Sequence, residues 1–179
     1  MTDNSSTAST GSNRRTLPFP WPDPPLNIAL IEPEIPPNTG NIARLCAATN
    51  SSLHLVGRLG FKLTDADLKR AGLDYWDSVH LTVHKNYATF LQALSPARFF
   101  YFSTKSSKSC FEARYEPGDV LVFGCETRGL SDDILEANRE RLLGIPIQLD
   151  HVRSLNLSTA VGIVTYEALR QISTHRNSA

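Results

Sequence analysis

Between Leu26 and Ile172 the chain switches repeatedly between two periods, and that alternation limits its fold more than any other feature. Short β-branched or aromatic runs (LNIALI, LHLVG, VHLTVH, ARFFYFST, VLVFG, GIPI) are separated by stretches with helical spacing. The helical stretches are NTGNIARLCAATN, DADLKRAG, NYATFLQAL, SDDILEANRERL and a last helix from about Asn156 to Ile172. Near-continuous apolar strands, each followed by a helix, predict an α/β fold with a parallel sheet covered on both faces. Ligands of such sheets bind beyond the carboxyl ends of the strands. Three loops at those ends carry unusual chemistry: STKSSKS after ARFFYF, GCETRGL after VLVF, and QLDHVRSLNLS after GIPI.

The chain of 179 residues is long enough for one domain with a real core. Residues 1–25, rich in Ser, Thr, Asn and Pro, read as a mobile tail, and residues 26–175 as the domain. Eighteen basic residues balance eighteen acidic ones, so no global positive field advertises a nucleic-acid partner and any RNA contact must be a local patch. Cys46, Cys110 and Cys125 form neither an even set nor a CxxC pair, which argues against a disulfide framework or a thiolate zinc site and fits a reducing cytoplasm. No apolar run approaches the roughly 20 residues of a membrane span.

Each motif has a plain reading beside a functional one. In PPNTGNIAR, residues 36–44, the polar groups of Asn38, Thr39 and Asn41 can cap a helix, whereas Arg44 is a fixed cation placed near a ligand edge. In FGCETRGL, Glu126 and Arg128 between two glycines form either a tight turn with an exposed ion pair or part of a site. Arg153, Ser154 and Asn156, at the mouth of the apolar last helix, can cap it or wall a pocket. Cys125 reads as an apolar filler rather than a nucleophile, and His80 with His84 lacks a third ligand, so no metal is expected. Arg58, Lys62, Lys69, Arg70, His84 and Lys85 make a basic stretch that is either a solvated face or a phosphate-contacting patch. There is no GxGxxG and no P-loop, which weakens NAD- and ATP-dependent chemistry. The last helix carries an apolar stripe of Leu157, Ala160, Val161, Val164, Ala168 and Ile172, and Gly162 permits a close second backbone.

NTGNIAR, FGCETRGL and IPIQLDHVRSLNLSTAVGIVTYEA together resemble the three motifs of SPOUT-class RNA 2′-O-ribose methyltransferases. IEPEIPPNTGNIARLCA with KRAGLDYW looks like the small single-domain subfamily that acts on the wobble cytidine or uridine of tRNA. The resemblance implies a SPOUT fold whose C-terminal part is tied in a deep trefoil knot, S-adenosylmethionine as cofactor, and a homodimer that binds the tRNA anticodon stem-loop. Carried over by motif, it places the cofactor against Phe102, Thr104, Gly124, Glu126, Gly129, Ile145, Ser154 and Leu155. It gives Arg44, Ser154 and Asn156 catalytic roles, and Asn38, Asn41, Lys105, Arg153 and Tyr166 substrate or partner contacts. A guanidinium with a pKa above about 12 is a poor base at neutral pH, so Arg44 is read as an orienting and charge-stabilising group. This chain departs from the second motif by Cys125 and Ser131, where the family usually has Pro. The alternatives are a ribosomal RNA methyltransferase and a catalytically silent RNA-binding module.

Overall fold

The computed structural model describes residues 17–63, 78–148 and 150–176. The predicted helix DADLKRAG, the KRAGLDYW motif, and Lys69 and Arg70 of the basic stretch lie outside the described residues. Six parallel strands form one sheet in the order β3-β2-β1-β5-β4-β6, with β1 at Asn27–Ile31, β2 at Ser52–Val56 and β3 at Leu81–His84. The others are β4 at Phe99–Phe102, β5 at Val120–Phe123 and β6 at Leu142–Leu143.

The pleat sorts each strand onto two faces. On one face Ile28, Leu30, Leu53, Leu55, Leu121 and Phe123 meet helix α1 (Pro36–Thr49) and helix α4 (Leu157–Arg176). On the other, Ala29, Val56, Phe99, Tyr101 and Val122 meet helix α2 (Tyr87–Leu94) and helix α3 (Asp132–Ala137). Both faces are covered, as the apolar strand pattern requires.

Local chemistry sets several boundaries. Asn86 caps α2 by accepting the Thr89 N–H at 2.9 Å in a capping box, and the helix ends at Leu94, two residues before Pro96. α3 is shorter than SDDILEANRERL suggested: a 3-10 turn at Arg139–Arg141 delivers the chain into β6. The predicted strand GIPI is corrected, because pairing with β4 ends at Leu143 and Pro146 has no N–H to continue a ladder. Within the segment expected to be a tail, Phe19 packs against the α1/α4 core and Pro22 is buried.

Two connections position the site. β1 leads to α1 on one face, whereas its neighbour β5 leads to α3 on the other, so their carboxyl ends flank a topological switch point. The chain after β6 runs beside the loop that joins β4 to β5: Gly144 donates its N–H to the Lys108 carbonyl and accepts the Cys110 N–H, each at 2.8 Å. Arg98 closes that loop at its base with a bidentate pair to the buried Asp119, both bonds at 2.9 Å, and a third contact to Glu116.

Candidate active site

α1 opens without a side-chain cap of its own. Ile35 is the N-cap residue, Pro36 and Pro37 occupy the first turn, and the Asn38 and Thr39 amides reach the Ile35 carbonyl at 3.1 and 3.3 Å. Asn38, Thr39 and Asn41 are therefore not caps, because two prolines start the helix before them. The carboxylate of Glu126, from the loop after β5, fills the crevice between β1 and β5. It accepts the Glu34 N–H at 2.8 Å, the Ile35 N–H at 3.2 Å and the Asn38 carboxamide N–H at 3.0 Å. An anion suits the positive end of a helix.

The clamp is reciprocal. The Glu34 carboxylate accepts the Thr127 hydroxyl at 2.6 Å and the Thr127 N–H at 3.3 Å. Arg128 turns away from Glu126 and lies 3.7 Å from Glu32 and 3.8 Å from Glu34, so the ion pair expected inside the turn joins two loops. Within that turn Cys125 bridges Gly129, which has φ +71°. A Cβ on Gly124 would sit 2.0 Å from the Gly129 carbonyl carbon, so only glycine fits there.

Asn38 ties in the third loop. Its carboxamide oxygen accepts the Asn156 side-chain N–H at 2.9 Å. Asn156 in turn accepts the Ser158 N–H at 2.9 Å and the Thr159 N–H at 3.4 Å, so it caps α4. The cap reading of Asn156 holds for its side-chain oxygen, while its side-chain N–H joins the α1 loop. Glu126, Asn38 and Asn156 form a continuous link between the three motif loops.

A cavity of about 230 Å³ is lined by Thr104, Ser106, Ser109, Gly144, Ile145 and Ile147 among others. It brings together Thr104 and Ile145 of the expected cofactor set. Phe102 and Phe123, the last residues of β4 and β5, stack at 4.7 Å as a buried floor. The Glu126 carboxylate is committed to the α1 entry, Gly124 and Gly129 to the turn, and Ser154 is exposed while Leu155 is half-buried.

Arg44 is exposed in the third turn of α1, about 12 Å along the axis from Pro36 at the usual helical rise. Asn41 and Arg153 are exposed. Lys105 pairs with Asp132 at 2.9 Å on the surface. Tyr166 is 55% exposed on α4, and among the described residues nothing outside the helix's own neighbouring backbone approaches within 4 Å of the position a Gly162 Cβ would take. Along α4, Val161, Val164, Ala168 and Ile172 are buried as the stripe suggested, with Thr165 and Leu169 beside them, while Leu157 and Ala160 are half-buried.

Burial pushes the Cys46 thiol up to about 12 and raises that of Cys110, so neither supplies a thiolate near neutral pH. His80 is exposed, whereas His84 forms a buried pair with His54 at 3.0 Å. No group of three metal-ligating side chains occurs among the described residues. Sequence reasoning missed Glu34, Thr127 and His54. Two acids in IEPEIPP were the sole hint of the first, and its partner lies 93 residues away.

The sequence profile of the SpoU rRNA methylase family matches residues 25–166. The tRNA (cytidine(34)-2′-O)-methyltransferase of Escherichia coli K12 is 50% identical over 148 residues, which cover 82% of this chain and 94% of that protein. A solved structure described as giving structural insights into the 2-OH methylation of C/U34 on tRNA superposes with a TM-score of 0.77 at 50% identity, covering 82% of this chain and 95% of that one. An AdoMet-bound rRNA methyltransferase from Sinorhizobium meliloti has a TM-score of 0.71 at 26% identity, over 81% of this chain and 56% of that one.

Proposed function

The chain belongs to the SpoU rRNA methylase family, and from that membership we propose that it methylates the ribose 2′-hydroxyl of nucleotide 34, cytidine or uridine, in tRNA. The observation that carries this reading is the link through Glu126, Asn38 and Asn156, which draws the three motif loops to one switch point. Residues 26–175 constitute the methyltransferase domain, with residues 17–25 packed on it. No helix of the described residues is long and apolar enough to cross a membrane, and a cytoplasmic location is part of the proposal.

The groups around the 230 Å³ cavity suit S-adenosylmethionine: Ile145, Pro146 and Ile147 offer an apolar slot, with Thr104 and Ser106 hydroxyls at its edge. Thr104 and Ile145 are assigned to the cofactor, backed by Phe102, Gly124, Gly129, Ser154 and Leu155. When bound, S-adenosylmethionine supplies an electrophilic methyl group on a sulfonium. In-line approach at near-attack distance is the main demand on the protein. Arg44 orients the nucleotide and offsets negative charge that develops on the 2′-oxygen. Asn38 and Asn156 hold the loops that present Ser154 and Arg153 to the nucleotide. Asn41 and Lys105 contact the RNA.

The open face of α4 around Gly162 and Tyr166 receives a second copy, and the chain after β6 threads the β4–β5 loop as a trefoil knot. Incubation with methyl-labelled S-adenosylmethionine and either total tRNA or ribosomal RNA, followed by mapping of the modified nucleotide, tests the reading. Label at position 34 of tRNA is expected. Label in ribosomal RNA alone, or in neither pool, defeats it.

A further inference from the structure

We propose that the groove on the far side of the Ser/Lys-rich loop after β4 binds the ribose-phosphate backbone of the substrate RNA through Lys108 and Arg139, with Lys105 between them. The inference rests on the RNA methyl-transfer reading above. The groove encloses about 550 Å³, and its lining includes Lys105, Ser107, Lys108, Asp132, Glu136 and Arg139. Ser106, Ser107 and Lys108 also line the smaller cavity assigned to the cofactor, so a single loop has the donor pocket on one side and this cationic groove on the other.

That shared wall is rigid. The Ser106 hydroxyl donates to the Leu142 carbonyl at 2.8 Å and accepts the Lys108 N–H at 3.1 Å, while the Lys108 carbonyl accepts the Gly144 N–H at 2.8 Å. The Lys108 ammonium reaches the Glu140 carbonyl at 3.3 Å, and among the described residues it has no carboxylate at hydrogen-bond range. Lys105 and Arg139 do have carboxylate partners, Asp132 at 2.9 Å and Glu136 at 3.2 Å, but all four side chains are well over half exposed. Exposed pairs of this kind hold weakly and exchange partners. A phosphate offers a guanidinium two acceptors in a matching plane.

Cations supplied by two separate segments, the loop and the 3-10 turn, suit a ligand with charges in series. An extended polyanion can meet cations on both segments at once, which a single small anion has less reach to do. Only Leu135 and Leu142 contribute apolar side chains to the lining, so the groove does not suit an apolar ligand. With a formal net charge of zero, the chain has no general attraction for RNA, and a local cluster must supply it.

The test uses the full chain carrying Lys108→Glu and Arg139→Glu, singly and together, with Lys108→Gln and Arg139→Gln as milder variants should the charge reversals impair folding. Three readouts apply: KM and kcat for tRNA, the slope of tRNA binding against salt by filter retention, and the melting shift produced by S-adenosylmethionine. The double variant should raise KM about tenfold or more and flatten the salt slope, while Arg139→Glu alone, at a side chain that lines only the larger groove, should keep kcat within about twofold and the melting shift intact. An unchanged KM and salt slope would overturn the proposal. So would loss of the melting shift in Arg139→Glu, which would assign the groove to the donor pocket. Protection of the wild type by inorganic phosphate, with tRNA KM unmoved in the variants, would instead mean a small-anion site. A wild type that methylates tRNA while the variants match it defeats the groove alone; a wild type that methylates none defeats the reading beneath it.

Discussion

Two polar networks cross the sheet, and they differ in what surrounds them. At the carboxyl ends of β1 and β5, Glu126, Asn38 and Asn156 link loops in a half-exposed crevice. Inside the sheet a second ladder runs from the amino end of β1 to the carboxyl end of β3. Asn27 donates its carboxamide N–H to the Gly118 carbonyl at 3.0 Å, leaving its oxygen to accept from His54 at 3.2 Å. His54 is then a donor at Nε2 and an acceptor at Nδ1, so His84 must donate across the 3.0 Å contact between the rings. Phe90 packs against both imidazoles.

The inner ladder has no room for a second proton. Desolvation, then the charge of His84, lowers His54 to about 4, and desolvation lowers His84 as well. The crevice network instead sets a carboxylate beside two backbone amides. The same polar vocabulary therefore joins neighbouring strands where water is excluded and ties loops together where water can enter.

Four changes can break or sharpen that contrast. Gly124→Ala should have the largest effect, because a Cβ 2.0 Å from the Gly129 carbonyl carbon opens the turn that carries Glu126. A loss of at least about 3 kcal/mol in a urea titration, with the cofactor-induced melting shift gone, is expected; near-wild-type behaviour would show that the crevice tolerates a different loop.

Arg44→Ala should lower single-turnover methylation by about a thousandfold while leaving the melting shift by S-adenosylmethionine in place. A wild-type rate would remove Arg44 from the chemistry.

Glu126→Ala removes three acceptor contacts at the entry of α1, and about 2 kcal/mol of stability with roughly tenfold in turnover should go together. If stability falls and turnover does not, the crevice is a fold element only.

The inner ladder answers to pH. With His54 held at about 4 against an ordinary 6.5, the unfolded chain binds more protons in that window, so stability falls as pH drops from 6.5 toward 4. The loss from His54 is at most about 3 kcal/mol. His54→Phe should flatten the curve at a cost of about 1–2 kcal/mol at pH 7, where Asn27 loses its donor. An equally steep acid limb in the variant would place the sensitivity elsewhere.

Much of the molecule is legible in the order of residues. The apolar runs mark β1 to β5 to within a few residues, and the two-sided burial of the central strands follows from the absence of polar alternation. NTGNIAR, GCETRGL and VRSLN stood out as polar loops at strand ends, and their resemblance to the family's three motifs marked them as candidate site segments. The role within the site was harder to read. Asn38 looks like a cap, and Pro36 with Pro37 makes it something else. Glu126 looks like a ligand contact, yet it holds the α1 entry. GIPI looks like a strand, and the paired residues precede it.

Sequence alone determined the layered parallel sheet and which loops bear polar chemistry, because side-chain period and turn residues act over a few neighbours in the chain. The tertiary structure decided the partners. Asn38 meets Glu126 across 88 residues and Asn156 across 118, and His54 meets His84 across 30. Such encounters depend on strand order and on the face each connection takes, and neither leaves a mark on local spacing.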